Sequence, residues 1–258
     1  MDLLTLFGFA GGLAVLFVSL KTGGAMSAFA NTHGMIIVLG GTACALMLSS
    51  SYAEVVAAMR AFVSLFRGLK TPKAETLVPL LAKMCGEARR SGLRAIQDAG
   101  ASAEDDGFMG RAIDVALGAG DIRTAQEVLE REINIIRARH REVANTFRTI
   151  AALSPMFGLL GTLIGIIAVL KNLTQADTLG PSMAIAISSA FYGISIANLI
   201  CVPVAGKLRS RSIAELNTKE LVMVGILDIV YTQKPPTVVE LGLRSFLTTR
   251  QSAGSLEG

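Results

Sequence analysis

The stretch SPMFGLLGTLIG, Ser154 to Gly165, places a proline, a threonine and three glycines inside an apolar run that carries no charge. A proline at membrane depth frees backbone groups that neighbouring helices, hydroxyl groups or water must satisfy. Pro155 and Thr162 are seven residues apart, so they share one face of a helix, and Ser154 with the glycines forms an adjoining stripe of small residues. Such a stripe allows another helix to approach closely. The stretch therefore predicts a packed membrane helix that forms one wall of an ion path.

Composition extends this interpretation to the whole chain. Of its 258 residues, 52% are hydrophobic and only 17% are charged, which is too apolar for an ordinary soluble domain. Four apolar blocks, 3–20, 35–50, 149–170 and 183–204, approach the roughly 20 residues that a membrane helix needs. We predict an all-α membrane protein with four transmembrane helices, a large helical cytoplasmic insertion between helices 2 and 3, and a helical cytoplasmic tail. The predicted boundaries are 1–50 for the first two helices, 51–148 for the insertion, 149–205 for the last two helices and 206–258 for the tail.

The first block has an alternative interpretation as a cleaved signal peptide, because Ala28-Phe29-Ala30 resembles a cleavage site. The only charge before the apolar run is Asp2, whereas a signal peptide has a basic leading region. The run is also longer than a usual signal core, so we predict a retained helix.

The distribution of lysine and arginine predicts the orientation in the membrane. The short connectors 21–34 and 171–182 hold only Lys21 and Lys171, so the other 22 of the 24 basic residues (24 minus 2) lie in the insertion and the tail. Cytoplasmic loops carry the excess of basic residues. We therefore expect a multi-pass membrane protein with both termini cytoplasmic. The net charge of +4 is explained by this topology and by anionic lipid headgroups, without nucleic acid.

Residues that could carry enzyme or metal chemistry are scattered. The three cysteines, Cys44, Cys85 and Cys201, have no paired spacing, and His33 and His140 are each isolated. The motifs GxxxxGK[ST], HExxH and CxxC and a nucleophile elbow are absent from the sequence. We predict no metal site, no cofactor and no enzymatic activity.

The insertion has apolar residues at helical spacing, with a stop and restart at Gly118-Ala119-Gly120-Asp121. From Asp121 the helical pattern continues into the third apolar block, which predicts one long helix that acts as a coupling element or simply as a stalk. In the tail, the pattern predicts helices over 210–232 and 237–247, separated by Pro235-Pro236, and a disordered end from Ser252.

A basic cluster lies at ARRSGLR, Ala88 to Arg94. Arg90, Arg94 and Asp98 follow one another at four-residue spacing, which would place them on one helix face. Such a face is either simply solvated or an electrostatic contact surface for an acidic partner, and the sequence leaves both interpretations open.

None of the four apolar blocks contains an Asp, Glu, Lys, Arg or His at depth. A proton or cation relay normally needs one, so a titrating carboxylate would have to come from another chain. This chain could supply only neutral oxygens, from Thr162, Ser188, Ser189, Tyr192, Ser195 and Asn198 and from carbonyls freed by Pro155 and Pro203. Ser188, Tyr192 and Ser195 share a stripe that fits either an ion path or ordinary interhelical hydrogen bonding.

These features together resemble the MotA family of flagellar stator proteins, which includes the sodium-type PomA branch. The resemblance extends to about residue 247 and rests on two early spans, the insertion with ARRSGL, SPMFGLLGTLIG, and GPSMAIAISSAFYGISIANLICVPVAGKL over 180–208. Its specific marks are the spacing of Pro155 and Thr162, the pair Gly180-Pro181, the pair Tyr192-Gly193, and Pro203.

The resemblance implies an ion-driven motor in the bacterial inner membrane, in which a pentamer of this chain surrounds a dimer of a MotB-like, single-span, peptidoglycan-binding partner. That partner would supply the ion-binding aspartate, faced by Pro155 and Thr162, and Pro203 would help to couple ion passage to movement. Arg89 and Arg90 match positions that contact the rotor switch protein, which is FliG-like, and spacing adds Arg94. Gln97 followed by Asp98 departs from the family pattern, in which a glutamate often follows this stretch.

The coupling ion can be argued from one position. Sodium-type members resemble one another in having a threonine at the position of Ala190, and alanine offers no oxygen ligand. Ser189 keeps a hydroxyl group near the site, but we expect H⁺ rather than Na⁺ as the transported ion.

Three other functions fit these features less well. An energiser similar to ExbB and TolQ shares the small-residue packing, but those relatives resemble a three-span design with one terminus outside. A solute transporter is less consistent with four spans that lack an inverted repeat or a polar pocket. A membrane enzyme lacks a buried nucleophile or acid–base pair.

Overall fold

The computed structural model describes residues 3–24, 29–66, 74–94, 96–97, 107–171, 176–232 and 234–254. In these ranges the chain is helical throughout, apart from short turns, and contains no strand. This bears out the all-α class that the apolar periodicity predicts.

Nine α-helices carry the described chain: α1 Leu3–Thr22, α2 Thr32–Ser49, α3 Tyr52–Leu65, α4 Ala74–Ser91, α5 Phe108–Gly118, α6 Ile122–Lys171, α7 Ala176–Ser195, α8 Val202–Leu227 and α9 Pro236–Gly254. Three π-helical segments interrupt or extend them. Ile36–Gly40 lies inside α2, Ile196–Cys201 joins α7 to α8, and Asp228–Thr232 extends α8. The π-helical turns were not predicted from the sequence.

Three helices among the described residues are long and apolar enough to cross a membrane: Thr32–Ser49, Ile122–Lys171 and the continuous Leu179–Thr232. Each covers one of the predicted blocks, except that the first helix ends one residue before the end of block 35–50. The first block forms α1, whose described side chains give a shorter apolar helix, Phe7–Thr22. Four membrane crossings therefore stay a prediction, since the structure describes three helices that meet the criteria of length and composition.

The long helix predicted from Asp121 is confirmed, since α6 runs for 50 residues without a break through Pro155. Gly120 has a φ of 77°, which places the turn before the helix in the left-handed region where glycine is favoured. The Asp121 carboxylate then accepts hydrogen bonds from the backbone N–H groups of Arg123 and Thr124, each at 2.9 Å. This is the geometry of a helix N-cap.

Contacts divide the chain into two units. The first consists of residues 1–68 and 140–210. Ala58, Leu65 and Phe147 are buried in its core with Val204 and Ala205. Helix α3, which the sequence assigned to the cytoplasmic insertion, thus packs within the same unit as the apolar helices, because its own apolar face is buried there.

The second unit consists of residues 69–139 and 211–258. Its core joins α4, α5, the first part of α6, α8 and α9 through fully buried side chains that include Leu81, Phe108, Leu129, Leu221 and Leu243. An ion pair joins α6 to α8, with 2.7 Å between Arg137 Nη2 and Glu220 Oε1. The second unit therefore has a hydrophobic core of its own.

Two details of the predicted helices need correction. Helix α4 ends at Ser91, and Gly92 follows it with a φ of 85°, so Arg90 and Arg94 do not share one helix face. Asp98, the third member of the predicted face, lies outside the described residues. The first tail helix does not begin at residue 210 as predicted, because α8 already begins at Val202. The last helix, α9, extends to Gly254, beyond its predicted end at residue 247.

Candidate functional site

Helices α6 and α7 approach each other through the predicted stripe of small residues. Ser154, Gly158, Gly161 and Gly165 are all buried. A methyl group added at Gly161 would lie 2.4 Å from Ser189 Cβ, and one at Gly165 would lie 2.7 Å from the backbone nitrogen of Ala186. The close approach predicted from the sequence is confirmed, since side chains cannot occupy these positions without separating the helices.

The other helix contributes its own small residue to this contact. A methyl group added at Gly193 would lie 2.5 Å from the carbonyl oxygen of Ser154 and 3.1 Å from Pro155 Cα. Pro155 is half-buried at this point. We call the contact of α6 with α7 at Ser154, Gly158, Gly161, Gly165 and Gly193 the glycine seam.

Helix α2 packs against both partners. A methyl group at Gly34 would lie 2.9 Å from Ser188 Oγ and 3.1 Å from Ser189 Oγ, and one at Gly41 would lie 2.3 Å from the Phe157 ring. Three helices thus meet with little side-chain volume between them, which fixes the positions of the polar groups nearby.

A groove of ≈ 440 Å³ lies beside the glycine seam and brings two predicted site residues together. Thr162 and Ala190 both line it, with Ile166 and Val169 from α6 and Met183, Ala186 and Ile187 from α7. The Thr162 hydroxyl donates to the carbonyl of Leu159 at 2.6 Å, so its oxygen lone pairs remain as acceptors. Among the residues that line this groove, Thr162 is the only polar side chain.

Ser189 lies on the other side of α7, away from this groove. It is fully buried against Gly34 and Gly161, and its hydroxyl donates to the carbonyl of Ile185 at 2.6 Å. Ser188 is also buried, and its hydroxyl donates to the same carbonyl at 3.3 Å. The hydrogen bonds of both serines are thus made within their own helix.

Tyr192 contacts the segment that precedes α2. Its hydroxyl donates to the carbonyl of Phe29 and accepts a hydrogen bond from the backbone N–H of Asn31 at 3.3 Å. The Phe29 and Phe191 rings meet edge to face with centroids 4.8 Å apart. Of the predicted polar stripe, Ser188 and Tyr192 therefore make local and interhelical hydrogen bonds, which was one of the two interpretations left open.

Two polar residues of this region were not predicted from the sequence to belong to the site. Asn31 caps α2, since its side-chain oxygen accepts the N–H of Gly34 at 3.2 Å, and an asparagine before an apolar run is a readable signal for such a cap. Thr42 is 6% exposed, and its hydroxyl has no hydrogen-bond partner among the described residues. A lone threonine inside an apolar block gives no sequence signal of this kind.

Pro203 lies apart from the other predicted ion-path residues. It is exposed near the start of α8 and lines a second groove with Phe9, Phe66 and Lys207. The structure thus groups Thr162 with Ala190, places Pro155 at the glycine seam, and separates Ser189, Tyr192 and Pro203 from that groove.

The predicted rotor-contact residues are solvent-exposed in the second unit. Arg89 and Arg90 occupy the last turn of α4, and Arg94 lies in the turn that follows. Cations in this position are stabilised by the helix dipole. On the inner side of the same helix, burial raises the pKa of the Cys85 thiol, although nearby Arg89 acts in the opposite direction.

Comparison with known proteins shows similarity along most of the chain. Residues 100–220 match the MotA/TolQ/ExbB proton channel family. The chain is 28% identical over 253 residues to the chemotaxis protein PomA of Vibrio alginolyticus, with 98% of each chain covered. It is 29% identical over 253 residues to motility protein A of Borreliella burgdorferi, covering 97% of this chain and 95% of the relative.

Two solved structures share the fold. The flagellar MotAB stator complex from Bacillus subtilis has a chain that is 27% identical with a TM-score of 0.85, covering 93% of this chain and 94% of that chain. The C. jejuni MotAB structure matches with a TM-score of 0.85 at 21% identity, covering 95% and 96% of the two chains. At that identity the second likeness concerns the fold alone.

Proposed function

The chain is a member of the MotA/PomA family, and from this premise we propose that it is a flagellar stator subunit that conducts H⁺ with a MotB-like partner and converts the ion-motive force into torque on the rotor. The partner would be a single-span, peptidoglycan-binding protein that supplies the ion-binding aspartate. The similar Bacillus subtilis chain belongs to a flagellar MotAB stator complex, which supports a partner of this kind.

The observation that carries the proposal is the groove beside the glycine seam. It is apolar except for Thr162, which offers a hydroxyl oxygen but no charge. Ion transfer across hydrocarbon needs an ionisable group, so the groove is suited to a carboxylate from a second chain, with Thr162 as a neighbouring hydrogen-bonding group. A low-dielectric wall would strengthen that interaction.

The lining of the groove also favours H⁺ over Na⁺. Ala190 adds a methyl group instead of an oxygen, and Ser189 does not line the groove, since its hydroxyl donates to the carbonyl of Ile185. Cations such as Na⁺ need several oxygen ligands to replace their hydration water, whereas a proton needs a carboxylate and a water path.

We further propose the assembly and location of the complex. The chain would form a homopentameric ring in the bacterial inner membrane, cross it four times with both termini cytoplasmic, and contact a FliG-like rotor protein through Arg89, Arg90 and Arg94. Exposure of these arginines supports the contact. An ExbB-like or TolQ-like energiser is not favoured, because a chemotaxis protein and a motility protein match this chain over nearly its full length.

Substitution of Thr162→Ala tests the proposal. We expect a membrane-inserted complex that has lost most ion flux and motility, since the hydroxyl makes one local hydrogen bond whose loss costs about 1 kcal/mol of stability or less. Flux is measured as H⁺ uptake by vesicles that contain the complex, and protein amount by immunoblot. Thr218→Ala is the matched control, since the Thr218 hydroxyl also donates to a carbonyl of its own helix, that of Ala214 at 3.0 Å.

Three results would contradict the proposal. One is a parallel loss of protein and flux in Thr162→Ala, which would indicate a structural role. Another is normal flux in Thr162→Ala. The third is purification of the chain from its native membranes with no accompanying single-span protein that carries an intramembrane aspartate.

A further inference from the structure

Helix α3 exposes an apolar face, although it packs within the first unit. Tyr52, Met59 and Val63 are 86%, 59% and 52% exposed, and their spacing of seven and four residues places them on one side of the helix. A different side is used for packing, since Ala58 and Leu65 are buried against other helices. A contiguous exposed apolar face of this kind indicates contact with a membrane or with another protein.

The cluster that holds α3 lies where the apolar blocks end. It includes Phe147, two residues before the third block begins, and Val204, the last residue of the fourth block. Helix α2, which carries the second block, ends at Ser49, three residues before α3 begins. The ends of three apolar blocks thus meet at α3, at the level expected for a membrane surface. Tyr52 is typical of that level, where an amphipathic ring meets both apolar and polar surroundings.

Three exposed arginines surround the same cluster. Arg60 lies on α3, and Arg148 and Arg209 each directly follow a residue that belongs to the cluster or packs against it. Among the described residues, none of the three forms an ion pair, and Arg148 donates to the neutral side-chain amide of Asn145 at 3.4 Å. We call these three residues the arginine collar.

Acidic residues are scarce around the arginine collar. The stretches 52–66, 140–148 and 202–210 contain five lysines and arginines but only two acidic residues, Glu54 and Glu142, a formal net charge of +3 (5 minus 2). Glu54 is also engaged in the N-cap of α3, where its side chain accepts the backbone N–H of the cap residue. The surface at the end of the apolar blocks is therefore positive, and the complementary ligand is an anion.

We propose that α3 lies in one surface of the bilayer, the cytoplasmic surface in the orientation proposed above, and binds anionic phospholipids. Its apolar face lies among the lipid chains, and the arginine collar binds the headgroup phosphates. An apolar face beside basic residues is typical of helices that lie in a membrane interface. Guanidinium groups bind phosphate oxygens through paired hydrogen bonds, and basic residues next to membrane spans attract anionic lipids. The contact depends on the membrane location of the chain and is independent of ion conduction.

Photo-crosslinking tests the position of α3. A benzophenone amino acid replaces Met59 in the complete complex with its partner chain, reconstituted in vesicles of phosphatidylcholine and phosphatidylglycerol. We expect irradiation to attach phospholipid, measured as an added lipid mass on the intact chain. The control replaces Leu241, an apolar side chain of α9 in the second unit that is 71% exposed, and should give no lipid adduct.

Equal lipid adducts at Met59 and Leu241, or none at Met59, would overturn the proposal. Crosslinks from Met59 to a second copy of the chain or to another protein would overturn it as well, because they would show that protein covers the apolar face of α3.

Electron spin resonance of spin-labelled lipids tests the choice of headgroup. The immobilised fractions of labelled phosphatidylglycerol and phosphatidylcholine are compared in the same reconstituted complex and in two triple variants. The first removes the arginine collar through Arg60→Gln, Arg148→Gln and Arg209→Gln. The second removes the same charge from exposed positions of the second unit through Arg89→Gln, Arg90→Gln and Arg94→Gln. We expect an excess of immobilised phosphatidylglycerol in wild type and in the second variant, and loss of most of that excess in the first.

An unchanged excess in the collar variant, or an equal loss in both variants, contradicts the proposed headgroup contact. Crosslinking at Met59 leaves the arginines in place, so it decides the question even where the collar variant does not fold. Neither measurement uses ion flux, so a failure of this proposal is distinguishable from a failure of the proposed stator function.

Discussion

Gly161 lies at the tightest point between α6 and α7, where an added methyl group would lie 2.4 Å from both Cβ and Oγ of Ser189. We expect Gly161→Ala to destabilise the purified complex by about 1–3 kcal/mol, because overpacking at a backbone contact forces the helices apart. Gly40→Ala is the control, since an added methyl group there meets no atom within 4 Å. Thermal unfolding in detergent measures both, and equal midpoints would show that the glycine seam tolerates side chains.

At the residue scale, the sequence predicted the small-residue stripe but only part of the site beside it. Thr162 and Ala190 share a groove, whereas Ser189, adjacent to Ala190 in sequence, points to the other side of α7. Successive residues on a helix differ in direction by about 100°, which follows from 3.6 residues per turn. The hydrogen bonds of Tyr192 with Phe29 and Asn31 could not be predicted, because they join residues more than 160 positions apart.

At the scale of single elements, the N-cap of α6 makes a prediction about pH. Hydrogen bonds from the Thr124 hydroxyl and from the backbone N–H groups of Thr124 and Arg123 lower the pKa of Asp121 below its ordinary value of 3.8. The folded state therefore holds the charged form more strongly than the unfolded state does. The stabilisation from Asp121 is complete above its ordinary pKa and is lost as the pH falls through the lowered pKa.

The measurement is chemical unfolding of wild type and Asp121→Asn at about pH 6 and about pH 3, above and below the ordinary pKa of 3.8. Asparagine keeps an oxygen that can cap the helix but does not titrate. We expect the stability of wild type to fall more steeply between these pH values than that of Asp121→Asn. Identical pH dependences in the two proteins would show that protonation of Asp121 does not affect the stability of the folded state.

The ion pair between α6 and α8 is a second prediction at this scale. Arg137 and Glu220 lie 2.7 Å apart with side chains only 32% and 11% exposed. A double-mutant cycle with Arg137→Met and Glu220→Gln should give a coupling of about 1.5–3 kcal/mol, the range for hydrogen bonds to charged groups. The control pair, Lys83 and Glu87, lies 3.8 Å apart at 75% and 43% exposure, and should give about 0–1 kcal/mol. Similar couplings for the two pairs would contradict the argument.

The bounds of some helices could be predicted from local sequence, and those of others could not. Helix α6 was predictable because its apolar period and its cap at Asp121 agree. The end of α4 at Ser91 was missed, although Gly92 adopts a left-handed φ, because the four-residue charge spacing suggested a longer helix. The π-helical turns also have no clear local signal, since they depend on how a helix is packed along its whole length.

At the scale of the whole molecule, the exposed arginines of the second unit predict a separation of conduction from torque. We expect Arg89→Glu with Arg90→Glu to leave ion flux unchanged while reducing torque, because charge reversal at an exposed contact acts on partner association. Torque is measured by the rotation speed of tethered cells at known load, and H⁺ flux in vesicles is the control. Opposite charge changes on the rotor protein should partly restore rotation. A loss of flux in the double variant would remove these arginines from the rotor contact.

The helical class of the molecule followed from composition and periodicity, but the grouping of helices did not. Helix α3, which lies at the start of the predicted insertion, packs in the first unit through Ala58 and Leu65. Its apolar face was visible in the sequence, whereas the surface that covers this face comes from Phe147 and Val204, far along the chain. Long-range partners of this kind are specified by tertiary packing.

The glycine seam also limits how this chain can change over generations. At its tightest contacts the residues on both helices are already glycine, alanine or serine, so a substitution that enlarges one side finds no bulkier neighbour whose reduction could compensate for it. Exposed positions on the same helix, such as Leu160 and Ile167, have no such constraint. Among descendants of this sequence we therefore expect lineages to drift freely in the outward-facing apolar residues of α6 while the seam stays nearly fixed.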